Sequence, residues 1–313
     1  MRIMFAAIAV VGMPLSAQTQ RPPVIDIHLH SYTGALSNAP PSWAAERAQD
    51  LGGVPSGEEH LAATIEQMDR YNIVLGVVSG PEASLREWKS VLGDRMVGGA
   101  FLGEDGLPEH SVQELSQRVA EGLVGVFGEL GLQYAGISPA DDRLAPYYAW
   151  AERTGVPVAI HTGLGPPGGP HTFAPRFRTT LGRPSLAEPV LARHSRLKVY
   201  LMHAGWPYLS ETVALLYIYP ELHVDVGVLA WALPEAAFHK ALRELIDAGF
   251  GKRILFGTDQ MMWPGAIGRA IETVEGADYL TEEQRRDILY FNAARFLDLS
   301  QDLIDRHHAA GSR

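Results

Sequence analysis

The chain has 313 residues, of which 46% are hydrophobic and 20% are charged, and it contains no cysteine. This length and composition suit one large globular domain, and the missing cysteines exclude disulfides, thiolate metal ligands and cysteine nucleophiles. A formal charge of −10 without any basic block argues against a nucleic-acid partner.

The first residues are typical of an export signal. A positive start at Met1-Arg2 precedes a mostly apolar run over 3–15, and residues 16–18 (Ser-Ala-Gln) offer a small-residue cleavage site. The run is too short to span a bilayer comfortably, and no cysteine follows that would carry a lipid. We therefore expect residues 1–17 to be a signal peptide of a periplasmic or secreted protein without a stable membrane anchor. A buried N-terminal helix of a cytosolic protein is the alternative.

Short apolar runs then alternate with helical patterns along the chain. Eight of these runs are predicted strands, at residues 24–30, 73–79, 95–102, 123–129, 156–161, 197–203, 222–226 and 253–259. Strands that alternate with helices predict parallel βαβ units, and eight such units favour a single-domain α/β fold, the (β/α)8 TIM barrel. An open doubly wound sheet is the rival, but no Gly-rich phosphate loop follows the first strand.

Helix starts are predicted from capping residues. Ser56 begins a capping-box pattern, Pro139 is expected at the first helical position, and Thr281 is expected to cap a long last helix that reaches about residue 299. The barrel domain is therefore predicted to span residues 24–299.

Two further segments stand out from this alternation. Residues 300–313 resemble a frayed helix and a polar tail. The loop over 162–184 is rich in Gly, Pro and Arg and is long for a connection from strand to helix, and loops of this kind are more often functional.

In the first predicted strand, Asp26, His28 and His30 share one face because side chains alternate with period two. The aliphatic residues at 25, 27 and 29 share the other face. In a barrel the apolar face would pack on the helices, so the polar face would point into the interior at the strand's C-terminal end. Two histidines at this spacing are well placed to hold one metal ion, although a single pair of this kind is weak evidence.

Metal-competent side chains recur at the C-terminal ends of four other predicted strands: Glu129, His161, His203 and Asp259. Barrel enzymes keep their active sites at this end, and buried charges and imidazoles are costly there unless they are paired or bound to metal. Together with the two histidines of the first strand, these residues predict a metal site. A donor set without thiolates suits Zn, Mn or Fe, of which zinc is expected.

Five short motifs contain these residues in chain order. They are DIHLH at 26–30, GEL at 128–130, IHTG at 160–163, MHAG at 202–205 and GTD at 257–259. In these motifs the chain resembles the amidohydrolase superfamily, and most closely its amidohydrolase-2, or amidohydrolase-related, family. The resemblance extends over about 24–299 and includes the closing segment FNAARFL at 291–297.

The resemblance implies roles for the six side chains. The more buried ion would be held by His28, His30 and Asp259, a second ion would be held by His161 and His203, and Glu129 would bridge the two. No lysine stands at the bridging position, so a carbamate bridge is not indicated. If Glu129 only supports a ligand, the site is mononuclear and His203 would polarise the substrate instead of binding metal.

A divalent ion lowers the pKa of bound water toward about 7 and polarises a carbonyl or phosphoryl oxygen. Asp259 would accept the water's proton and return it to the leaving group, so it and His203 are the candidate catalytic residues. We expect a hydrolase with one or two ions that acts on a small-molecule lactone, ester or amide. No G-x-S-x-G motif supports serine-hydrolase chemistry.

Two other classes of function remain in view. The resembling family includes non-oxidative decarboxylases of unsaturated or aromatic acids, which use a single metal on a similar ligand set. An exported binding protein without activity is the third alternative, and the complete ligand set argues against it. Oligomeric state, including a homo-oligomer, is left open.

Several residues carry weaker predictions for substrate binding. In the loop over 162–184, His171, Arg176 and Arg178 would bind an anionic group or else be solvated. Trp206 and Trp263, which follow two of the strand ends, would line a pocket mouth or else pack over the barrel.

The remaining predictions concern one residue that would support the metal site and six histidines outside it. Asp225 on the seventh strand would orient a ligand histidine, although plain packing in the barrel interior is slightly favoured. Six histidines in helices, caps or the tail are expected at the surface: His60, His110, His194, His239, His307 and His308.

Overall fold

The computed structural model describes residues 21–31, 51, 57–100, 102–103 and 105–310. The predicted signal peptide and the predicted cap at Ser56 lie outside the described residues. Among the helices within them, none combines the length and apolarity needed to cross a membrane.

The eight predicted strands are present, most of them shorter than the apolar runs. They are β1 Val24–His30, β2 Ile73–Ser79, β3 Met96–Ala100, β4 Val126–Leu130, β5 Val158–Ile160, β6 Val199–Leu201, β7 Leu222–Asp225 and β8 Ile254–Leu255. All neighbours pair in parallel, and their order in the sheet is their order in the chain. This order is the one that a barrel wound from successive βα units requires.

Hydrogen bonds between the chain's first and last strand regions close the barrel. The Ile27 amide donates to the Phe256 carbonyl at 2.9 Å, and the Asp259 amide donates to the His28 carbonyl at 2.7 Å. The prediction of a single-domain (β/α)8 TIM barrel is therefore confirmed, and the doubly wound sheet is excluded.

Helices follow the strands around the outside of the sheet. Within the described residues they are α1 Gly57–Arg70, α2 Glu82–Leu92, α3 Val112–Ala120, α4 Ala145–Thr154, α5 Glu188–Arg193, α6 Leu209–Ile218, α7 Leu229–Ala232, α8 Glu235–Asp247, α9 Gly265–Glu275, α10 Glu282–Arg286, α11 Asn292–Phe296 and α12 Gln301–Ala310. Their buried faces and the outer face of the sheet enclose the larger apolar core.

The predicted helix start at Pro139 is wrong. Helix α4 begins at Ala145, after a 3-10 turn, and Pro146 lies in its first turn. The Asp141 carboxylate accepts a hydrogen bond from the Arg143 amide at 3.0 Å, which begins the turn after the proline instead of at it. A short acidic side chain that captures a nearby amide competes with helix formation at this point.

The predicted cap at Thr281 is confirmed, because Thr281 and Gln284 form a reciprocal capping box. The helix that follows is not continuous. A π-helical segment separates α10 from α11, which ends at Phe296. Helix α12 then packs back on this segment, where Tyr290 Oη lies 2.9 Å from His307 Nδ1. Much of the predicted tail is therefore an ordered helix.

Three of the histidines expected at the surface are buried, and that expectation is wrong for them. His60 Nε2 lies 2.9 Å from the side-chain nitrogen of Gln260, and His194 Nδ1 lies 3.1 Å from a Glu152 oxygen. His307 is the third. Each imidazole has a polar partner from a distant part of the chain, and such partners make the burial of a histidine tolerable.

The aliphatic face predicted for the first strand is divided between two clusters. Ile25 and Ile27 pack with Tyr200 and the closing segment, whereas Leu29 packs in the larger core with the helices. The register of β1 against β2 shifts between Asp26 and Leu29. This irregularity interrupts the period of two on which the prediction depended.

Candidate metal centre and active site

The structure brings the six predicted ligand residues together at the C-terminal ends of the strands. His28 and His30 belong to β1, and Glu129 belongs to β4. His161, His203 and Asp259 lie just beyond β5, β6 and β8. All six side chains are almost fully enclosed, and Glu129 is the most accessible at 11%.

Four of these side chains form the tighter cluster. The Nε2 atoms of His28 and His30 are 3.3 Å apart. The Glu129 Oε2 atom lies 3.0 Å from His30 Nε2 and 3.4 Å from His28 Nε2, and the Asp259 Oδ1 atom lies at the same two distances. All four donor atoms fall within 4.8 Å of one another. Two imidazoles and two carboxylates at this separation form a group able to hold a divalent metal ion.

A second group of three donors shares Glu129 with the first. Glu129, His161 and His203 also have donor atoms within 4.8 Å of one another. Glu129 Oε1 lies 3.8 Å from His161 Nε2, while its Oε2 atom faces the tighter cluster. The two oxygens of one carboxylate therefore face different donor groups.

Asp225 orients the imidazole of His28. Its Oδ2 atom lies 2.9 Å from His28 Nδ1, and its Oδ1 atom accepts hydrogen bonds at 2.8 Å from the amides of His203 and Gly227. An ionised carboxylate only accepts, so Nδ1 carries a proton and Nε2 is the atom that faces the cluster. The orienting role predicted for Asp225, the less favoured alternative, is the one found.

His203 is held by similar means. Its Nδ1 atom lies 2.9 Å from the Gly227 carbonyl oxygen, which also only accepts. The proton is therefore on Nδ1 and leaves Nε2 as the available donor atom. Its nearest carboxylate contact in the site is Asp259 Oδ2, 4.0 Å from Nδ1.

The charges of the tighter cluster favour a cation. Burial alone would lower the pKa of His28, but the charges of Asp259 and Asp225 outweigh it and raise the pKa well above its usual value. Burial likewise would raise the pKa of Glu129, but hydrogen bonds to His28 and His30 hold it well below the usual range. The Glu129 carboxylate is thus stabilised by the positive charge of the imidazoles, a role that a bound metal ion could take over, and the donor set fits such an ion.

His161 has a different environment. Burial, followed by the nearby His203, lowers its pKa to about 3, so the imidazole is neutral. The Tyr134 hydroxyl lies 3.1 Å from His161 Nε2, the atom that faces Glu129. Tyr134 lies in a 3-10 turn directly after β4. Its role was missed at the level of sequence, where a lone aromatic residue in a connection carries no periodic signal.

The backbone adopts left-handed conformations around the site. His203 has φ 60°, Ala204 48°, Val228 58° and Asp259 52°. Non-glycine residues rarely adopt this region, and such strain concentrates at functional sites. The turns at His203 and Asp259 are what carry these side chains off the strand ends and toward the histidines of β1.

Asp26 ties the first strand to the segment that carries Asp259. Its Oδ1 atom accepts from the amides of His28 and Thr258, both at 3.0 Å, and its Oδ2 atom accepts from Thr258 Oγ1 at 2.6 Å. Burial raises the pKa of Asp26 to about 7, although these hydrogen bonds oppose the shift. The sequence placed Asp26 on the face of the histidines but did not reveal this link.

A cavity of about 890 Å³ adjoins the tighter cluster of donor side chains. Five of the six predicted ligand residues line its base: His30, Glu129, His161, His203 and Asp259. Arg176, Trp206 and Trp263, three of the residues with a weaker prediction for substrate binding, also line it. This volume lies in the range of small-molecule sites.

Two further residues predicted either to bind an anionic group or to be solvated are not among those that line the described cavity. Arg178 donates instead to the carbonyl oxygens of Pro175 and Phe177, at 3.0 and 2.7 Å. His171 ends a 3-10 turn with an exposed side chain. Loop composition indicated basic residues near the site but not which of them face it.

The fold and this donor set are those expected of a metal-dependent enzyme on a TIM barrel. The amidohydrolase family model (amidohydrolase-2) matches residues 25–299. The chain therefore belongs to the amidohydrolase family, as its motifs predicted.

Solved structures share the fold. A probable 2-pyrone-4,6-dicarboxylic acid hydrolase from Acinetobacter baumannii, solved with citric acid, is 17% identical with a TM-score of 0.61, over 88% of this chain and 99% of that one. A 2,6-dihydroxybenzoate decarboxylase in complex with 2,6-dihydroxybenzoate is 17% identical with a TM-score of 0.58, over 90% and 100%. A Zn-bound amidohydrolase from Burkholderia multivorans is 17% identical with a TM-score of 0.57, over 88% and 99%.

A curated relative matches part of the chain. Protein fluG of Emericella nidulans is 24% identical in an alignment of length 160 that covers 46% of this chain. The match covers 18% of that protein, so the chain spans less than a fifth of its length.

Proposed function

We propose that this protein is a metal-dependent hydrolase that acts on a small-molecule lactone, ester or amide. The observation that carries the proposal is the position of Glu129. One oxygen of its carboxylate faces His28 and His30 at 3.4 and 3.0 Å, and the other faces His161 at 3.8 Å. A carboxylate between two donor groups is suited to bridging two ions, which is the arrangement that activates water for hydrolysis.

Bound divalent ions would supply water of lowered pKa and polarise the substrate's carbonyl oxygen. The protein's part is to position groups and move a proton. Asp259 is suited to both, because its Oδ1 atom faces His30 at 3.0 Å while its Oδ2 atom points toward His203 at 4.0 Å. Water would add to the carbonyl carbon, Asp259 Oδ2 would take the water's proton, and the same proton would pass to the leaving oxygen or nitrogen as its bond to carbon breaks.

Zinc is the ion that we propose. The donors are imidazole nitrogens and carboxylate oxygens without thiolates, which Zn, Mn and Fe all accept. The Zn-bound Burkholderia multivorans amidohydrolase, a neighbour of the same fold, supports zinc as the first choice.

A second candidate is a non-oxidative decarboxylase with a single ion. The contact of the Tyr134 hydroxyl with His161 Nε2 at 3.1 Å favours it, because this hydrogen bond competes with a second ion for the same lone pair. Arg176 also lines the cavity and offers a cation to a carboxylate substrate. In this alternative His203 would polarise the substrate, the bond from carbon to the carboxylate would break, and carbon dioxide would leave while the bonding pair stays on carbon. A proton held by Asp259 would then be transferred to that carbon in place of the carboxylate.

We also propose that the protein acts after export, with residues 1–17 removed. The charged start, apolar run and small-residue cleavage site of the N-terminal sequence support this. N-terminal sequencing of protein from an exporting host tests it, and a mature chain that begins at Met1 would contradict it.

Metal content per chain is the experiment that tests the proposed function. Protein purified without chelator would be analysed for Zn, Mn and Fe. About two ions per chain and turnover of a lactone and ester panel support the hydrolase. About one ion, with turnover confined to carboxylic acids, would overturn it in favour of the decarboxylase.

A further inference from the structure

The cavity above the metal cluster is lined mainly by apolar side chains. Apart from the candidate ligands, Arg176 is the charged residue in its described lining. Two stretches of chain supply much of the apolar lining. The loop after β5 contributes Leu164 and Phe173, and the segment after β8 contributes Met262 and Trp263. A cavity with one cation and extensive apolar walls is poorly suited to a small polyacid.

Two exposed apolar side chains lie at this cavity. Among the described residues, the large hydrophobic side chains left exposed include Phe173 at 64% and Leu164 at 38%, both of which line it. The others, Val91, Tyr217 and Ile218, lie elsewhere. Exposing apolar surface to water is unfavourable, and apolar side chains exposed in a concave site are suited to a ligand that covers them.

The segment after β8 forms a fixed wall beside the reacting groups. Trp263 is 1% exposed and packs edge-on against Trp231 with ring centroids 5.7 Å apart. The Trp231 indole N–H donates to the Thr258 carbonyl oxygen at 2.7 Å. The wall therefore begins within four residues of Asp259 in the chain, and the adjacent Met262 adds an adaptable surface.

We propose that the substrate carries a bulky apolar group, aryl or long alkyl, attached close to its reacting carbonyl or carboxyl carbon. This group would lie between Phe173 and Leu164 on one side and Met262 and Trp263 on the other. The location of the reacting carbon at the metal cluster rests on the proposed function. The apolar contacts do not depend on whether the reaction is hydrolysis or decarboxylation.

Binding of a homologous series of carboxylic acids to the metal-loaded protein tests the proposal without turnover. Acetate, butyrate, hexanoate and decanoate would be titrated by calorimetry, and benzoate would be compared with 2-naphthoate. We expect the dissociation constant to fall about three- to fourfold for each added methylene, because each buried methylene contributes about 0.8 kcal/mol. An affinity that does not change along the series, or no binding of the longer acids, would overturn the proposal.

Substitutions at two exposed positions test which surface contacts the alkyl chain. Phe173→Asp should weaken decanoate binding at least tenfold and leave acetate binding nearly unchanged, since it places a charge where the alkyl chain lies. Ile218→Asp, at an exposed position away from the cavity, is the matched control and should leave both acids unchanged. Equal weakening of both acids by Phe173→Asp, or no weakening, would contradict the proposed location.

These outcomes are separable from the proposed function. Two ions per chain and ester turnover, together with a dissociation constant that does not change along the acid series, would overturn only the apolar substrate class. A dissociation constant that falls with acid length, in a protein with one ion and no ester turnover, would overturn only the proposal of a hydrolase.

Discussion

The Nδ1 atom of His28 lies 2.9 Å from the Oδ2 atom of Asp225, and both side chains are fully buried. The other oxygen of this carboxylate accepts two main-chain amides, from His203 and Gly227. Asp225 thereby fixes which nitrogen of His28 faces the metal cluster, and it also anchors the main chain of His203 in the second donor group.

Asp225→Asn should weaken metal binding about 10- to 100-fold. The amide oxygen would stay with the two main-chain amides, which leaves the NH2 group facing His28 Nδ1. The imidazole would then carry its proton on Nε2, the atom that should bind the ion. Competition with a chromophoric chelator measures the affinity. His223→Gln, on the same strand, is the control, and equal affinity in the Asp225 variant would show that this contact does not set the tautomer.

Glu129→Gln should lower the zinc content from about two ions per chain to about one. The neutral amide retains one acceptor oxygen and cannot bridge the two donor groups with two charged oxygens. Elemental analysis after gel filtration gives the stoichiometry, and circular dichroism checks the fold. Two ions retained in the variant would exclude a bridging role.

Tyr134→Phe should tighten binding of the second ion about two- to tenfold. The phenol competes for His161 Nε2, and a hydrogen bond of this kind contributes roughly 0.5–1.5 kcal/mol. Titration of Zn into the one-ion protein measures the effect. The comparison variant is Tyr147→Phe, because Tyr147 lies on α4 away from the cavity lining. Weaker binding in Tyr134→Phe would indicate that the phenol holds His161 in place for the ion.

Thr258→Val should lower the free energy of unfolding by about 1–3 kcal/mol, because it removes a donor from a buried carboxylate. The hydroxyl donates to Asp26 at 2.6 Å, and both residues are inaccessible to water. Urea denaturation of the metal-free protein measures the change. Thr273→Val removes a hydroxyl that bonds only to its own helix, at Arg269, and should cost less. An equal loss of unfolding free energy in the two variants would mean that the hydrogen bond to Asp26 adds no more stability than an ordinary hydroxyl contact within a helix.

His60 should make stability depend on pH. Burial lowers the pKa of His60 to about 4, from the ordinary value of 6.5 for a histidine. The folded state therefore resists protonation of His60. The contribution of the neutral imidazole to the free energy of unfolding is complete above pH 6.5, and about 3 kcal/mol is lost as the pH falls toward 4. Urea midpoints at pH 8 and pH 5 should differ less in His60→Gln than in the natural protein. His171→Gln, at an exposed position, should keep the natural pH dependence.

Much of the barrel and the donor set could be predicted because both follow periodic rules. Apolar runs at a regular spacing define the strands, and the six donors stand at or just beyond strand ends, where barrel geometry gathers them. The contacts that decide the chemistry are not periodic. The pairing of Asp225 with His28 joins strands β1 and β7, and a sequence pattern alone could not separate it from ordinary interior packing.

The errors have similar physical origins. The start of α4 depended on whether Asp141 or Pro139 would control the local backbone, and a single side-chain hydrogen bond decided it. The two-residue alternation of side chains in β1 was broken by a register shift that no residue type in the sequence predicts. Arg176 lines the cavity and Arg178 does not, which depends on the path of a loop with no repeating pattern.

The hydrogen bond from the Asp259 amide to the His28 carbonyl joins the first strand of the barrel to the segment after the last one. The metal donors therefore come from both ends of the domain. During synthesis, a nascent chain that has not yet released the segment after β8 holds five of the six donors without the carboxylate that completes the tighter cluster. Completion of the tighter cluster would accordingly be one of the latest events in the maturation of this protein, and a chain truncated before Asp259 would leave the ribosome without the carboxylate that completes it.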